Sequence, residues 1–252
     1  MKSYTDFAAF YDTLTSNVAY EQKADYLLEL FKRHNHTAGL TLDLACGTGT
    51  LTLALKKRGI DVYGVDASWE MLSVAQQKAY EAGEEILFLC QKMQKLDLYG
   101  TVDTCICALD SINHLTSTKA VENAFKRVSL FMNPNGLFVF DANTIYKHAC
   151  VLGDNCYIYD TEKVFCAWQN NYEPSNHSVT ITLDFFEPDN GLYHRSSEQF
   201  SERAYSRETL EKIGTAAGFV LEAVYDEDSF NPPHEKTQRE IYVLRKKENE
   251  QG

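Results

Sequence analysis

Leu40-Thr41-Leu42-Asp43-Leu44-Ala45-Cys46-Gly47-Thr48-Gly49-Thr50 is the stretch that decides the fold. A short apolar run, Leu40 to Ala45, stops at a glycine-rich turn, and Leu51 to Arg58 continues with helical spacing. That order reads as a buried strand, a tight turn and a helix, with Gly59 just past the helix end. Asp61 to Val65 reads as a second strand, and Ser68 caps a helix carrying Met71, Leu72, Ala75 and Ala79. Ile86 to Cys90 is a third strand. Val102 to Leu109 is a fourth, apolar on both faces as an inner parallel strand must be. Val121, Ala124, Phe125 and Val128 mark the next helix, which Asn133-Pro134-Asn135-Gly136 ends, and Leu137 to Asp141 is a fifth strand. Upstream, Ala24, Leu27, Leu28 and Phe31 recur at helical intervals. Strands alternating with helices imply an α/β fold, a doubly wound parallel sheet with helices on both faces.

The alternation then breaks. From about Cys156 to Tyr205 the pattern has period two and no clear helix. Val164 to Trp168, Ser178 to Phe186 and Tyr193 to Tyr205 read as antiparallel strands, with Asp189-Asn190-Gly191 as a hairpin turn. Helical spacing returns at Leu210, Ile213 and Ala217, between a cap at Ser206 and a stop at Gly218. Phe219 to Tyr225 and Glu240 to Arg245 read as two last strands. The chain therefore reads as one domain over 1–252. A helical cap spans 1–36, the α/β core spans 37–145 and 206–247, and an antiparallel β insert spans 146–205. An insert after the fifth strand lies beside the carboxyl edge of the sheet, where open α/β sheets bind ligands. It is either a lid or substrate platform, or a ribbon through which two copies form a homodimer.

Composition excludes several classes. The 252 residues are 44% hydrophobic and 24% charged, which is globular rather than disordered. Twenty-four Lys and Arg against 36 Asp and Glu give a net charge of −12. That balance argues against nucleic acid and anionic lipid as partners, since both demand clustered cations. Arg245-Lys246-Lys247 reads as a solvated tail. No run of about 18 apolar residues exists, and Met1 to Tyr20 lacks a charged start followed by an apolar run. The seven cysteines include no Cys-x-x-Cys pair. Reduced, mostly buried thiols in a cytoplasmic protein are the expectation.

Gly47 and Gly49 let a ligand approach the backbone closely. Asp66, 19 residues after Gly47 and at the end of the second strand, has the position from which an acid accepts hydrogen bonds from ribose hydroxyls. The third glycine of a dinucleotide fingerprint is replaced by Thr52, and Asp43 would repel a pyrophosphate but attract an ammonium or sulfonium. The ligand implied is a nucleoside that carries positive charge and no phosphate. Each feature has a purely structural alternative: a tight turn, a helix-start charge at Asp66, a satisfied buried carboxylate at Asp43. A buried Asp43 without a donor would be costly, so some donor must meet it.

Leu42 to Thr50, followed by Gly64-Val65-Asp66-Ala67-Ser68-x-x-Met71-Leu72, resembles the class I S-adenosylmethionine-dependent methyltransferases. Tyr4-x-x-Phe7-Ala8-x-x-Tyr11-Asp12 and Leu109-Asp110-Ser111-x-Asn113-His114-Leu115 are similar to motifs of a subgroup that methylates small molecules. The resemblance implies a Rossmann-like seven-stranded sheet with its last strand antiparallel, and S-adenosyl-L-methionine as cofactor. It implies that Ala45, Gly47 and Gly49 line the methionine part, that Asp43 lies near the ammonium and that Asp66 holds the ribose. Ala67 and Met71 would pack on adenine, and the Met93 backbone would serve it. Gln91-Lys92-Met93 departs from the family pattern, with Lys92 where many relatives carry an acid.

Leu109 to His114, at the mouth of the fourth strand, would face the transferred methyl group. His114 is the candidate base, because an imidazole titrates near neutrality; its alternative is a histidine bonded to nearby backbone. Asp110 either orients substrate or caps the following segment, and Asn113 is a neutral hydrogen-bonding alternative. Tyr11 closes over the site or packs with Phe7 and Phe10 in a core. Trp168, Tyr172, Phe185, Phe186, Tyr193, Phe200 and Tyr205 form a sheet face or a cage for a methylated ammonium. The remaining histidines show no metal-ligand spacing, so no metal is expected. The expected activity is methyl transfer to a nitrogen or oxygen of a small molecule. The alternatives are a non-catalytic cofactor-binding protein and a nicotinamide-dependent oxidoreductase.

Overall fold

The computed structural model describes Tyr11, Asp12, Thr15 and residues 18–248. Phe7, Phe10 and the rest of residues 1–10 of the helical cap expected over 1–36 lie outside the described residues, as do 13, 14, 16 and 17; α1 (Tyr20–Arg33) is its longest described element. Among the described residues eleven strands form two sheets.

The larger sheet follows the order β10-β11-β5-β4-β1-β2-β3. It comprises β1 (Leu40–Leu44), β2 (Asp61–Asp66), β3 (Phe88–Cys90), β4 (Val102–Cys107), β5 (Met132–Asn143), β10 (Phe219–Asp226) and β11 (Arg239–Lys246). The neighbours from β5 through β3 are parallel, whereas β11 is antiparallel to both β5 and β10. The fold is thus the expected Rossmann-like α/β sheet, with its last strand reversed. Side chains alternate across the strands and divide the core. Ile106, Val139 and Ile241 join α1 and α2 (Thr50–Lys57) in one apolar layer. Cys105, Cys107, Phe138, Phe140 and Tyr242 join α4 (Thr118–Leu130) and α5 (Arg207–Ala216) in the other. The strand order reverses between β1 and β4, which places the ligand crevice at their carboxyl ends.

Local chemistry explains the helix ends. Ser68 Oγ accepts the Met71 N–H at the start of α3 (Trp69–Glu81), and Ser206 Oγ accepts the Thr209 N–H at the start of α5. Gly59 and Gly218 follow α2 and α5 at φ 82° and 92°.

Several boundaries differ from expectation. Asn133 to Gly136 does not precede the fifth strand but bulges within it, between the pairs Val102–Met132 and Thr104–Leu137. β3 is shorter than expected, and β4 stops at Cys107 because Leu109 and Asp110 turn left-handed, at φ 56° and 52°. A π-helical turn, Lys147–Leu152, opens the insert where no helix was expected.

The insert is a second, wholly antiparallel sheet of β6 (Cys156–Asp160), β7 (Phe165–Glu173), β8 (Ser178–Asp189) and β9 (Leu192–Arg203). Asn190 and Gly191, at φ 46° and 85°, make its expected tight hairpin. Its inner face, Val164, Cys166, Val179, Ile181, Leu183 and Phe185, shares an apolar cluster with Met71 of α3, and Tyr11 packs against that cluster. The insert therefore lies over the crevice side of the larger sheet. No helix among the described residues is long and apolar enough to cross a membrane. The cysteines are free; Cys105, Cys107 and Cys166 are buried, and Cys150 and Cys156 are exposed.

Candidate active site

The turn after β1 holds Ala45, Gly47 and Gly49 in the left-handed region, at φ 61°, 54° and 70°. A β-carbon on Gly47 would meet nothing within 4 Å, so that side of the turn is open for a ligand. At Gly49 it would fall 2.8 Å from the Ala75 Cβ, so this glycine serves close packing on α3. The Asp66 carboxylate braces the turn. Asp66 Oδ2 accepts the Gly47 N–H at 2.9 Å, and its Oδ1 accepts the Ser68 N–H at 2.8 Å. Each oxygen keeps a lone pair for further donors. Burial pushes the Asp66 carboxyl up, opposed by those backbone donors.

Asp43 is fully enclosed, and its donor is Thr52, whose hydroxyl gives Asp43 Oδ2 a 2.5 Å hydrogen bond. The residue that breaks the dinucleotide fingerprint is thus the one that satisfies the buried acid. Burial, with Asp66 adding to it, pushes Asp43 up to about 6.

Asp12 reaches this turn from ahead of α1. Asp12 Oδ1 accepts the Thr48 hydroxyl at 2.8 Å, and Lys78 of α3 pairs with Asp12 Oδ2 at 2.5 Å. The Tyr11 hydroxyl lies in the field of Asp110 and Arg239, and burial raises it well above the usual phenol range.

The mouth of β4 is a second braced turn. Asp141, at the end of β5, accepts the N–H groups of Leu109 and Asp110 at 2.9 and 2.5 Å. The Asp110 carboxylate receives Arg239 at 2.9 Å and Asn143 at 2.5 Å. Burial alone would raise Asp110, but Arg239, Lys147 and His114 outweigh it and hold the carboxyl at about 2. Asn113 is fully buried and bonded to the backbone of Asn143 and Arg203, so it joins β5 to the insert. His114 ends the 3-10 turn Ser111–His114, and its side chain is 34% exposed, open enough to reach a ligand. Its ring lies 5.4 Å from that of Phe200, and Nε2 is 3.6 Å from Glu202 Oε1.

Around the expected adenine side, Met71 is buried, the Ala67 carbonyl accepts the Cys90 thiol, and Met93 opens a half-buried 3-10 turn. The insert aromatics do not form one cage: Tyr205 bonds the Leu115 carbonyl, Phe186 pairs with Phe165, and Tyr193 is exposed. Sequence reasoning missed Asp141, Arg239 and Glu202. The first two follow from the pairing of β11 with β5, which sets Ile241 opposite Asp141 and Arg239 opposite Asn143.

The open side of Gly47 and the spare capacity of Asp66 fit a nucleoside, and Asp43 fits a cationic group. Gly47→Val is expected to abolish cofactor binding in a folded chain. A branched residue strains at φ 54°, and its side chain fills the open side of the turn. Calorimetry checks this; normal binding by the folded variant would remove the turn from the site.

Asp43 carries a pH signature. Between about pH 4 and 6 its folded form keeps a proton that the unfolded chain has lost, so stability falls as pH rises through that window. Asp43→Asn removes this loss and is expected to stabilise the apo protein above pH 6 by on the order of 1–3 kcal/mol. The same variant should bind a cationic ligand less tightly. Melting curves across pH for both chains check the first effect.

A model of the methyltransferase domain matches residues 41–136. YqeM of Bacillus subtilis, whose name gives a methyltransferase and no substrate, is 31% identical over 96% of this chain and 97% of its own. A glycine/sarcosine N-methyltransferase of Parasynechococcus marenigrum is 29% identical over 83% of this chain and 74% of its own. The crystal structure of an S-adenosylmethionine-dependent methyltransferase from Clostridium acetobutylicum is 33% identical, with a TM-score of 0.87 over 97% of this chain and 99% of that one. Likeness of that degree along nearly the whole of both chains shows the family: the chain belongs to the class I S-adenosylmethionine-dependent methyltransferases, and its cofactor is S-adenosylmethionine.

Proposed function

We propose that the protein transfers a methyl group to a nitrogen or oxygen of a small molecule. The observation that carries this reading is the enclosure of the site by the chain itself. Met71 shares its apolar cluster with the insert, Tyr11 packs against that cluster, and the Phe200 ring lies tilted against that of His114. A crevice covered in this way suits a small acceptor better than a polymer, and the net charge of −12 disfavours nucleic acid. The likeness to a glycine/sarcosine N-methyltransferase makes amines the first acceptors to try.

S-adenosylmethionine, when bound, supplies a methyl group already activated on a sulfonium. The protein's part is alignment, water exclusion and proton removal. Ala45, Gly47 and Asp43 receive the methionine end, Asp66 the ribose, and Ala67, Met71 and Met93 the adenine. Leu109 places the mouth of β4 beside the methyl group. His114 accepts the acceptor's proton, and Tyr11 closes the site. Asp110, locked to Arg239 and Asn143, holds the turn rather than the substrate. The free thiols support a cytoplasmic setting. Pairing of two copies would use Ile158, Leu192 and Tyr193, exposed on the insert's strands.

Release of S-adenosylhomocysteine from a panel of small amines and hydroxyl compounds tests the reading. Cofactor binding without turnover on any of them would favour a non-catalytic binding protein.

A further inference from the structure

β9 presents Phe200 and Glu202 two residues apart, on one face of the insert, and both meet His114. Glu202 Oε1 lies 3.6 Å from His114 Nε2, and Glu202 Oε2 lies 3.7 Å from His148 Nε2. The side chains of Glu202 and His148 are only 6% and 0% exposed. His148 Nδ1 sits 3.0 Å from the His177 carbonyl. A carbonyl only accepts, so Nδ1 carries the hydrogen. A neutral His148 would then turn a bare lone pair at Nε2 toward a carboxylate oxygen. Neither His148 Nε2 nor Glu202 Oε2 has a hydrogen-bond partner among the described residues. Two buried acceptors facing each other are costly, and a proton between them converts the clash into a charge-assisted hydrogen bond. The same logic applies at Oε1: His114 Nε2 faces it favourably only as N–H, which leaves Nδ1 bare.

We propose that Glu202 is the positioning residue of the site. It holds His114 in the Nε2–H tautomer with Nδ1 as the proton acceptor, and is itself held by a proton shared with His148. This rests on the reading of His114 as the base. On turnover the proton leaving the acceptor goes to Nδ1, the ring keeps its Nε2 hydrogen, and its new charge faces Glu202. Product release returns the proton to water. This role requires the gaps of 3.6 and 3.7 Å to shorten when substrate binds, as catalytic hydrogen bonds commonly do. Other charges near the group are Lys147, on the π-helical turn and in the field of Glu202, and Asp66 and Asp110, which act on His114. Arg203, next on β9, reaches instead to the Thr116 carbonyl. The insert thus completes the proton-accepting centre as well as covering it.

Nitrogen-15 NMR of histidine-labelled protein with S-adenosylhomocysteine at neutral pH tests this, using H114N and H148N for assignment. The expected spectra show His114 protonated on Nε2 alone, and His148 with hydrogen on Nδ1 and a second proton shared at Nε2. In E202Q, which keeps the shape and loses the charge, His148 should carry hydrogen on Nδ1 only. The His114 Nε2 hydrogen should exchange with water about tenfold faster. E202D keeps the charge on a shorter side chain and should restore both signals only in part. A folded E202Q with both rings unchanged, or a wild-type His148 that is bare at Nε2, overturns the proposal and leaves the base reading intact. An H114N enzyme with an unchanged rate overturns the base reading, and with it the role given to Glu202.

Discussion

His114→Asn is expected to leave S-adenosylmethionine affinity within about twofold and to lower turnover by about 10²–10⁴-fold, the usual contribution of a positioned base. The geometry separates the two effects. His114 stands at the mouth of β4, whereas the glycine turn, Asp43 and Asp66 belong to β1 and β2. The ring lies beside Phe200 in an exposed residue and forms no hydrogen bond to backbone among the described residues, so its loss costs little stability. The wild-type rate should rise with pH as the base loses its proton and then level off, and that limb should vanish in the variant. Under the proposed cofactor placement Asp43 and Asp66 would act on the same profile through binding, so the rate must be read at saturating cofactor. Steady-state kinetics on the first accepted substrate checks both points. A folded variant with an unchanged turnover number and profile would remove the base and leave the methyltransferase intact.

The second large effect is on binding. Asp66→Ala is expected to weaken S-adenosylmethionine binding by about a hundredfold or more. Two hydrogen bonds from ribose hydroxyls to a carboxylate are worth roughly 1.5–3 kcal/mol each, and each 1.4 kcal/mol is about tenfold. The variant also strands the Gly47 and Ser68 N–H groups that Asp66 now accepts, so the turn loses its brace. Asp66→Asn keeps one acceptor oxygen and should lose less. Calorimetry on folded variants measures the series, and unchanged affinity in Asp66→Ala would displace the nucleoside from this end of the sheet.

Much of this candidate site is local in the chain, so its geometry is legible there. Strand, glycine turn and helix follow one another within Leu40 to Arg58, and Asp66 ends the next strand. Ser68, Ser206, Gly59 and Gly218 mark helix ends by their own chemistry, which needs no tertiary context. The Asp189-Asn190-Gly191 hairpin is legible for the same reason. What stayed hidden is what distant segments do to each other. Asp141 looks like a strand residue until Leu109 and Asp110 turn left-handed beside it. Arg239 gains its meaning from the antiparallel pairing that sets it against Asn143 and Asp110. Glu202 is one polar residue of an alternating strand, and only the placement of the insert over the crevice carries it to His114. The bulge at Asn133 to Gly136 resembles a loop because its residues favour turns, yet the strand pairs on both sides of it.

The most direct measurement is transfer of an isotopically labelled methyl group from S-adenosylmethionine into a desalted cell extract supplemented with its own small-molecule fraction. The label should appear in a small molecule, in step with S-adenosylhomocysteine, and only when the small-molecule fraction is present; His114→Asn should suppress it. Label recovered in protein or nucleic acid and absent from the small-molecule fraction would contradict the account.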